Sequence, residues 1–137
     1  MAYEEELAKV DLFSRLEKSD LTRIGKAAVP RKYSKGDTIV TEGEQAVAFY
    51  VVVSGKAEAT KGGVSVATFG PGECFGEMAL LDGYPRSSSV VAAEDTECLA
   101  MTRWDFNAEL NTNPTIAVAM LPILSKRIRR LQGEHIP

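Results

Sequence analysis

The residues whose types and spacing suggest chemistry lie in one loop, between positions 72 and 90. Phe75-Gly76-Glu77 comes directly before Met78-Ala79-Leu80-Leu81, an apolar run of good helix propensity that is long enough for only about one turn. The N-terminus of such a helix presents unpaired backbone N–H groups near Met78 and Ala79, and these groups attract anions. Gly76 allows a ligand to approach the backbone closely. This half of the loop therefore predicts an anion site.

Arg86 and the serines after it supply the other half of that site. Arginine is permanently charged and donates two parallel N–H groups to phosphate oxygens, while Ser87 and Ser88 add hydroxyl and backbone donors. Glu77 does not suit a pure anion site, because its carboxylate would repel the ligand. A carboxylate beside a phosphate site accepts a hydrogen bond from a sugar hydroxyl, as in ribose-binding sites. Phosphate together with a ribose hydroxyl predicts a nucleotide.

The composition excludes several other classes of protein. The chain has 137 residues, which fits one domain, and its 16 Lys and Arg against 19 Asp and Glu give a formal charge of −3. No overall basic field therefore indicates a nucleic-acid partner. The only histidine, His135, argues against His-rich metal sites, such as those of cupin enzymes, and against most His-dependent acid–base catalysis. We expect no catalytic residues, no metal and no cofactor.

The cysteine count and the termini bear on location. Cys74 and Cys98 are too few for a disulfide scaffold and suit a reducing cytoplasm. No apolar run approaches the ~20 residues of a membrane span. The N-terminus carries Glu4-Glu5-Glu6, the opposite of the basic start of a signal peptide. These features predict a cytoplasmic protein without a membrane partner.

The elements that must position the loop are mainly strands. From Arg31 to Met101, short β-branched and aromatic runs alternate with glycine-bearing turns, which predicts an antiparallel sandwich or barrel. The predicted strands are Thr38–Thr41, Ala48–Val53, Lys56–Thr60, Val64–Phe69, Ser88–Ala93 and Thr96–Met101. The second is apolar almost throughout, as a central strand is, whereas the fourth alternates as a half-buried strand does.

Helices are predicted on both sides of the strands. Before them, apolar residues at near-helical spacing indicate two helices, the second capped by Ser19 and ended by Pro30. After them, Thr102 resembles the start of a capping box. Asn113-Pro114 predicts an N-cap and first position for a helix that reaches Gln132, and Pro122 within that helix predicts a kink.

The loop and the early strands together resemble a known family. Phe75-Gly76-Glu77-Met78-Ala79-Leu80-Leu81 and Pro85-Arg86-Ser87-Ser88-Ser89-Val90 are similar to the phosphate-binding cassette of cyclic-nucleotide-binding domains. The turns Gly36-Asp37 and Glu42-Gly43-Glu44 and the segment Phe49–Gly55 match the early strands and turns of that family. The resemblance covers nearly the whole chain.

The resemblance implies a mainly β fold with flanking helices, in which an antiparallel double-stranded β-helix, or jelly roll, forms the sandwich. The implied layout is a single domain, 1–137. It has an N-terminal helical segment (1–30), a β-roll (31–102) that contains the cassette (75–90), and C-terminal lid helices (103–132).

The resemblance also implies roles for single residues. Glu77, helped by the Gly76 backbone, would bind the ribose 2′-hydroxyl, and Arg86 would pair with the exocyclic phosphate oxygens. The full set of implied binding residues is Phe75, Gly76, Glu77, Met78, Ala79, Arg86, Ser87 and Ser88. In this family a threonine directly after the cassette arginine favours guanine. Ser87 at that place favours cAMP, with cGMP as the alternative.

Residues 114–132 leave two interpretations open. Family members usually cap the base with this helix, and the candidate lid residues are Arg127, then Arg130 and Leu131; the alternative is that they are solvated. A coiled-coil stripe recurs at steps of 4, 3, 4 and 3 through Ala117, Leu121, Leu124, Ile128 and Leu131. It predicts either a homodimer seam or a helix packed on its own sandwich.

We therefore expect a non-catalytic cyclic-nucleotide sensor, in which the ligand draws the C-terminal helix over the base. The alternatives are a degenerate domain that serves only for dimerisation or interaction, and the sensor fragment of a transcription regulator or channel. The residues after Gln132 are too few to form a recognition helix, so we expect no direct contact with nucleic acid. The signal would pass to an effector protein that the sequence does not identify.

Overall fold

Two antiparallel sheets, with helices against one of them, form the fold in the computed structural model, which describes residues 3–133 except the side chains of Ala79 and Leu80. The strands are β1 Val29–Tyr33, β2 Thr38–Val40, β3 Ala48–Ser54, β4 Ala57–Lys61, β5 Val64–Phe69, β6 Cys74–Phe75, β7 Ser89–Ala92 and β8 Thr96–Thr102. One sheet has the order β1-β8-β3-β6 and the other β2-β7-β4-β5. This confirms the predicted mainly β sandwich with flanking helices.

The helices are α1 Glu4–Ala8, a 3-10 turn Asp11–Phe13, α2 Lys18–Ala27, α3 Glu77–Asp82, α4 Arg103–Thr112 and α5 Thr115–Leu131. No helix in the described part of the chain is long and apolar enough to cross a membrane.

Strand β3 is central, as its apolar sequence predicts, because it pairs with β8 on one side and β6 on the other. Its alternate side chains face different cores. Phe49 and Val51 pack among the helices, whereas Val52 packs between the two sheets. Since β3 pairs Val51 with Cys74 and Tyr50 with Phe75, it also holds the strand that leads into the candidate nucleotide loop.

Two short strands were not predicted, and one predicted burial pattern is wrong. Strand β1 begins at Val29, within the segment predicted to be helical; it tolerates Pro30 because it lies at a sheet edge. Strand β6 has two residues, too few for any periodicity. The predicted half-buried strand is β5, but every residue from Val64 to Thr68 is exposed, since β5 is an edge strand and only Phe69, at its end, packs between the sheets.

The starts of α2 and α5 differ from the predictions by two residues and one residue, respectively. Helix α2 begins at Lys18 rather than after Ser19, and the Asp20 carboxylate accepts a hydrogen bond from the Glu17 backbone N–H at 3.4 Å. At the next predicted cap the structure agrees, since the Thr102 hydroxyl accepts from the Asp105 N–H at 3.2 Å.

Helix α5 begins at Thr115, so Pro114 occupies the N-cap position that was predicted for Asn113. Asn113 closes α4 instead, because the residue before a proline is driven out of helical geometry. The helix continues through Pro122, and the kink predicted there stays a prediction.

An aromatic cluster seats the helices on the first sheet. The ring of Phe49 lies 5.8 Å from that of Phe13 and 5.5 Å from that of Phe106, in edge-to-face arrangements. Helix α5 adds Ile116, Met120 and Ile123 to the same core. Because these residues share one face of α5, the next turn of that face carries Arg127 toward α3.

Candidate functional site

A cavity of about 190 Å³ lies where β6, α3 and the start of β7 meet. Its floor is apolar and consists of Val40, Phe69 and Val90 from between the sheets. The structure brings to its wall all but one of the predicted cassette residues, namely Phe75, Gly76, Glu77, Met78, Arg86, Ser87 and Ser88. The remaining one, Ala79, lies in the first turn of α3.

Gly76 is the turn between β6 and α3, and its conformation requires glycine. Its φ is +87°, in the left-handed region that side chains rarely adopt. A Cβ at this position would overlap the guanidinium of Arg86 and would contact the Ala48 carbonyl. Gly76 therefore allows the arginine to lie directly against the loop.

Arg86 is a buried cation, with only 7% of its surface exposed. Its guanidinium donates to the carbonyl of Gly76 at 3.3 Å and to the carbonyl of Ala48. Within residues 3–133, no carboxylate lies within ion-pair distance of it. Carbonyl groups neutralise no charge, so this site is electrostatically suited to a bound anion.

The pKa of Arg86 reflects its buried position. Burial lowers the pKa of Arg86 from its ordinary value, and electrostatic interactions with Tyr50, Glu44 and Glu77 oppose that effect. An arginine nevertheless keeps its proton in proteins. Two backbone hydrogen bonds also fix the residue to the turn after β2, between Arg86 N–H and Glu44 O (2.8 Å) and between Gly43 N–H and Arg86 O (2.9 Å).

Glu77, the first residue of α3, has each carboxylate oxygen bonded to a different partner. Oε1 accepts from Nη1 of Arg127 at 3.1 Å, and Oε2 accepts from Sγ of Cys74 at 3.6 Å. The other Arg127 terminal nitrogen, Nη2, lies 3.7 Å from Oδ2 of Asp11 in the 3-10 turn. Burial, and secondarily the charge of Glu77, raises the pKa of the Cys74 thiol, which therefore stays protonated at neutral pH.

The three predicted lid residues differ in whether they contact the cassette. Arg127 contacts Glu77 and lies 3.6 Å from the Met78 sulfur. Arg130 and Leu131 are exposed, Leu131 to 88%, and neither lines the cavity. The structure thus brings one of the three lid candidates to the cassette.

Several residues at the site are not predicted from the sequence. Cys74 was recognisable, because it lies three positions before Glu77 across a single turn. Asp11 and Ala48 carry no local signal, since they reach the site from distant parts of the chain. Among residues 3–133 no cluster of His, Cys, Asp or Glu could hold a metal ion. His135 lies outside the described residues.

The chain is similar to known proteins of one family. Residues 30–113 match the family model described as cyclic nucleotide-binding domain. The chain is 42% identical over 109 residues to the cyclic AMP receptor protein of Thermus thermophilus, covering 76% of this chain and 50% of that protein. It is 41% identical over 106 residues to the cAMP-dependent protein kinase regulatory subunit of Aspergillus niger, covering 76% and 26%. The chain thus spans about half and about a quarter of these relatives.

Solved structures show the same fold. The N-terminal domain of a transcriptional regulator from Streptomyces coelicolor A3(2) has a TM-score of 0.82 and 28% identity, covering 93% of this chain and 92% of that one. The Thermus thermophilus catabolite activator protein has a TM-score of 0.77 and 37% identity, covering 89% and 60%.

Proposed function

Because the chain belongs to the cyclic nucleotide-binding domain family, we propose that it is a cAMP sensor whose ligand occupies the cavity beside α3 and acts through α5. The observation that carries this proposal is the buried guanidinium of Arg86, which lacks a carboxylate partner within residues 3–133 and lines the same cavity as Glu77. The proposal is one of binding, so incubation should leave the nucleotide chemically unchanged. The proposed location is the cytoplasm, and the proposed output is an effector protein.

The cyclic phosphate lies against Arg86 in this proposal. The guanidinium pairs with its exocyclic oxygens, and backbone N–H groups at Ala79 and Ser87 complete the cradle. These donors act together because the first turn of α3 has N–H groups without helical partners, and the arginine supplies a full charge.

The ribose lies beside Glu77, whose carboxylate accepts the hydrogen bond of the 2′-hydroxyl. The contact between Oε1 of Glu77 and Nη1 of Arg127, at 3.1 Å, supports a link between ribose binding and α5. The ligand and the helix would then share the carboxylate of Glu77. Arg127 is accordingly the proposed lid residue.

The base extends from the ribose along the apolar floor of Val40, Phe69 and Val90. We favour cAMP over cGMP because serine, rather than threonine, follows the cassette arginine at Ser87. The names of two relatives agree with this preference, since both specify cAMP.

The proposed partner of α5 is a second copy of this chain. Leu121, Ile128 and Leu131 are 60%, 55% and 88% exposed, so these members of the stripe do not pack on their own sandwich. Leu121 and Ile128 lie on a different face from Ile116, Met120 and Ile123, which fill the core. Side-by-side pairing of two α5 helices would bury the exposed stripe.

Calorimetric titration of the wild type and Arg86→Ala with cAMP and cGMP tests the nucleotide site. We expect cAMP to bind more tightly than cGMP. Arg86→Ala should weaken cAMP binding by about 1.5–3 kcal/mol, roughly ten- to a hundredfold, because a charge-assisted bond is lost. Arg15→Ala, an exposed arginine that does not line the cavity, is the matched control and should bind normally. Folded wild-type protein that binds neither nucleotide at high micromolar concentration would contradict the proposal.

A further inference from the structure

Cys74 makes a local contact with the carboxylate of Glu77. Its thiol lies at the start of β6, on the wall of the cavity, with Sγ 3.6 Å from Oε2 of Glu77. Strand β6 is fixed by its pairing with β3, where Cys74 is opposite Val51. The thiol is therefore held by the central sheet, and its position does not depend on α5.

The two partners of Glu77 differ in how they can respond to a ligand. Arg127 bonds Oε1 from a helix fifty positions away in sequence, so this contact depends on where α5 lies. Cys74 bonds Oε2 from three positions away, within one rigid turn. The thiol contact therefore depends on the β6–α3 turn, whereas the Arg127 contact also depends on the position of α5.

The thiol is suited to this task because it stays a donor. Burial and the neighbouring carboxylate raise the pKa of Cys74, so at neutral pH the sulfur carries its proton and can donate it to Oε2. A thiolate at this position would instead repel the carboxylate.

We propose that Cys74 is a positioning residue for Glu77, and that its S–H bond orients the carboxylate toward the ribose 2′-hydroxyl. The inference rests on the proposed cyclic-nucleotide site and adds a residue to it. It assigns Cys74 a part in the preference of the site for ribose over deoxyribose.

Binding of cAMP and of 2′-deoxy-cAMP to the same variants separates this role from a merely structural one, because the second ligand lacks the hydroxyl that Glu77 would bind. In wild type the Kd for 2′-deoxy-cAMP should be much higher than the Kd for cAMP. In Cys74→Ala the ratio of these Kd values should fall by roughly three- to tenfold, since a weak donor to a charged acceptor is lost. Cys74→Ser retains a donor and should keep most of the ratio.

Two further variants make the test specific. Cys98→Ala removes the other thiol, which is buried between the sheets, and should leave the ratio unchanged in protein that remains folded. In a Glu77→Gln background, adding Cys74→Ala should change the ratio no further, because the two residues act through one carboxylate.

An equal weakening of both ligands in Cys74→Ala, or no change in either, would overturn the inference and leave the proposed function intact. Wild-type protein that binds neither ligand would overturn the proposed function as well.

Discussion

At the scale of single residues, the position of Arg86 depends on Gly76. Arg86 can lie against the β6–α3 turn because Gly76 has no side chain, and its guanidinium donates to the Gly76 carbonyl. The burial that results leaves the cation bonded only to carbonyl groups. A small residue thus determines where this buried cation is placed.

Gly76→Ala should therefore abolish cAMP binding and lower the free energy of unfolding by about 1–3 kcal/mol, because it adds backbone strain at φ +87° and displaces Arg86. Calorimetry and thermal unfolding measure the two effects. Gly63→Ala is the matched control, since Gly63 has a φ of +81° but a Cβ there would contact nothing within 4 Å. It should share the strain and keep the binding; normal binding by Gly76→Ala would contradict the proposed packing.

A second prediction at this scale concerns alkaline pH. Burial raises the pKa of Cys98 to about 11 from 9.0, so the folded protein favours the protonated thiol. Its contribution to stability is complete below pH 9.0, the ordinary value, and is lost as the pH rises to about 11. Chemical unfolding from pH 8 to 11 should show a smaller loss of stability for Cys98→Val than for wild type. Parallel curves for the two proteins would contradict this assignment.

At the scale of elements, α5 is held by two different kinds of contact. Its first half is anchored by Ile116, Met120 and Ile123 in the core, whereas no residue described after Ile123 is buried. In the second half, Arg127 contacts the cassette at Glu77 and the N-terminal turn at Asp11. We therefore expect the half of the helix nearest the site to be the part that changes when a ligand binds.

Arg127→Ala should speed amide hydrogen exchange in residues 124–131 of the unliganded protein by roughly two- to fivefold, because partly exposed ion pairs contribute about 0.2–1 kcal/mol. Exchange measured by mass spectrometry or NMR reports the effect. Arg130→Ala changes an exposed arginine of the same helix and should have no such effect. Equal exchange in both variants would show that Arg127 does not hold the helix.

At the scale of the whole molecule, the exposed apolar stripe of α5 predicts self-association. A second copy would cover Leu121 and Ile128, which no part of the described chain covers. Pairing would also bring the segment that carries Arg127 to the dimer interface. We therefore expect dimerisation and nucleotide binding to be coupled.

Leu121→Glu should shift the protein to the monomer mass of 14.9 kDa, because it places a charge on the seam. Sedimentation with and without cAMP measures the mass. Val64→Glu alters an equally exposed valine on β5 and should leave the dimer intact. Wild-type protein that stays at the monomer mass at all concentrations would contradict the proposed partner.

The fold class and the central strand β3 follow from the sequence alone, and the cassette residues are predicted from it, because all of these depend on local patterns: alternation, glycine turns and a motif of fixed spacing. The short strands β1 and β6 escaped prediction because a proline and a two-residue length hide them. Only the tertiary structure decided that Arg86 is buried between two carbonyl groups, that Glu77 is shared by Cys74 and Arg127, and that β5 is exposed. Each of these depends on which distant segments meet, and that is set by the packing of the sheets and helices rather than by neighbours in sequence.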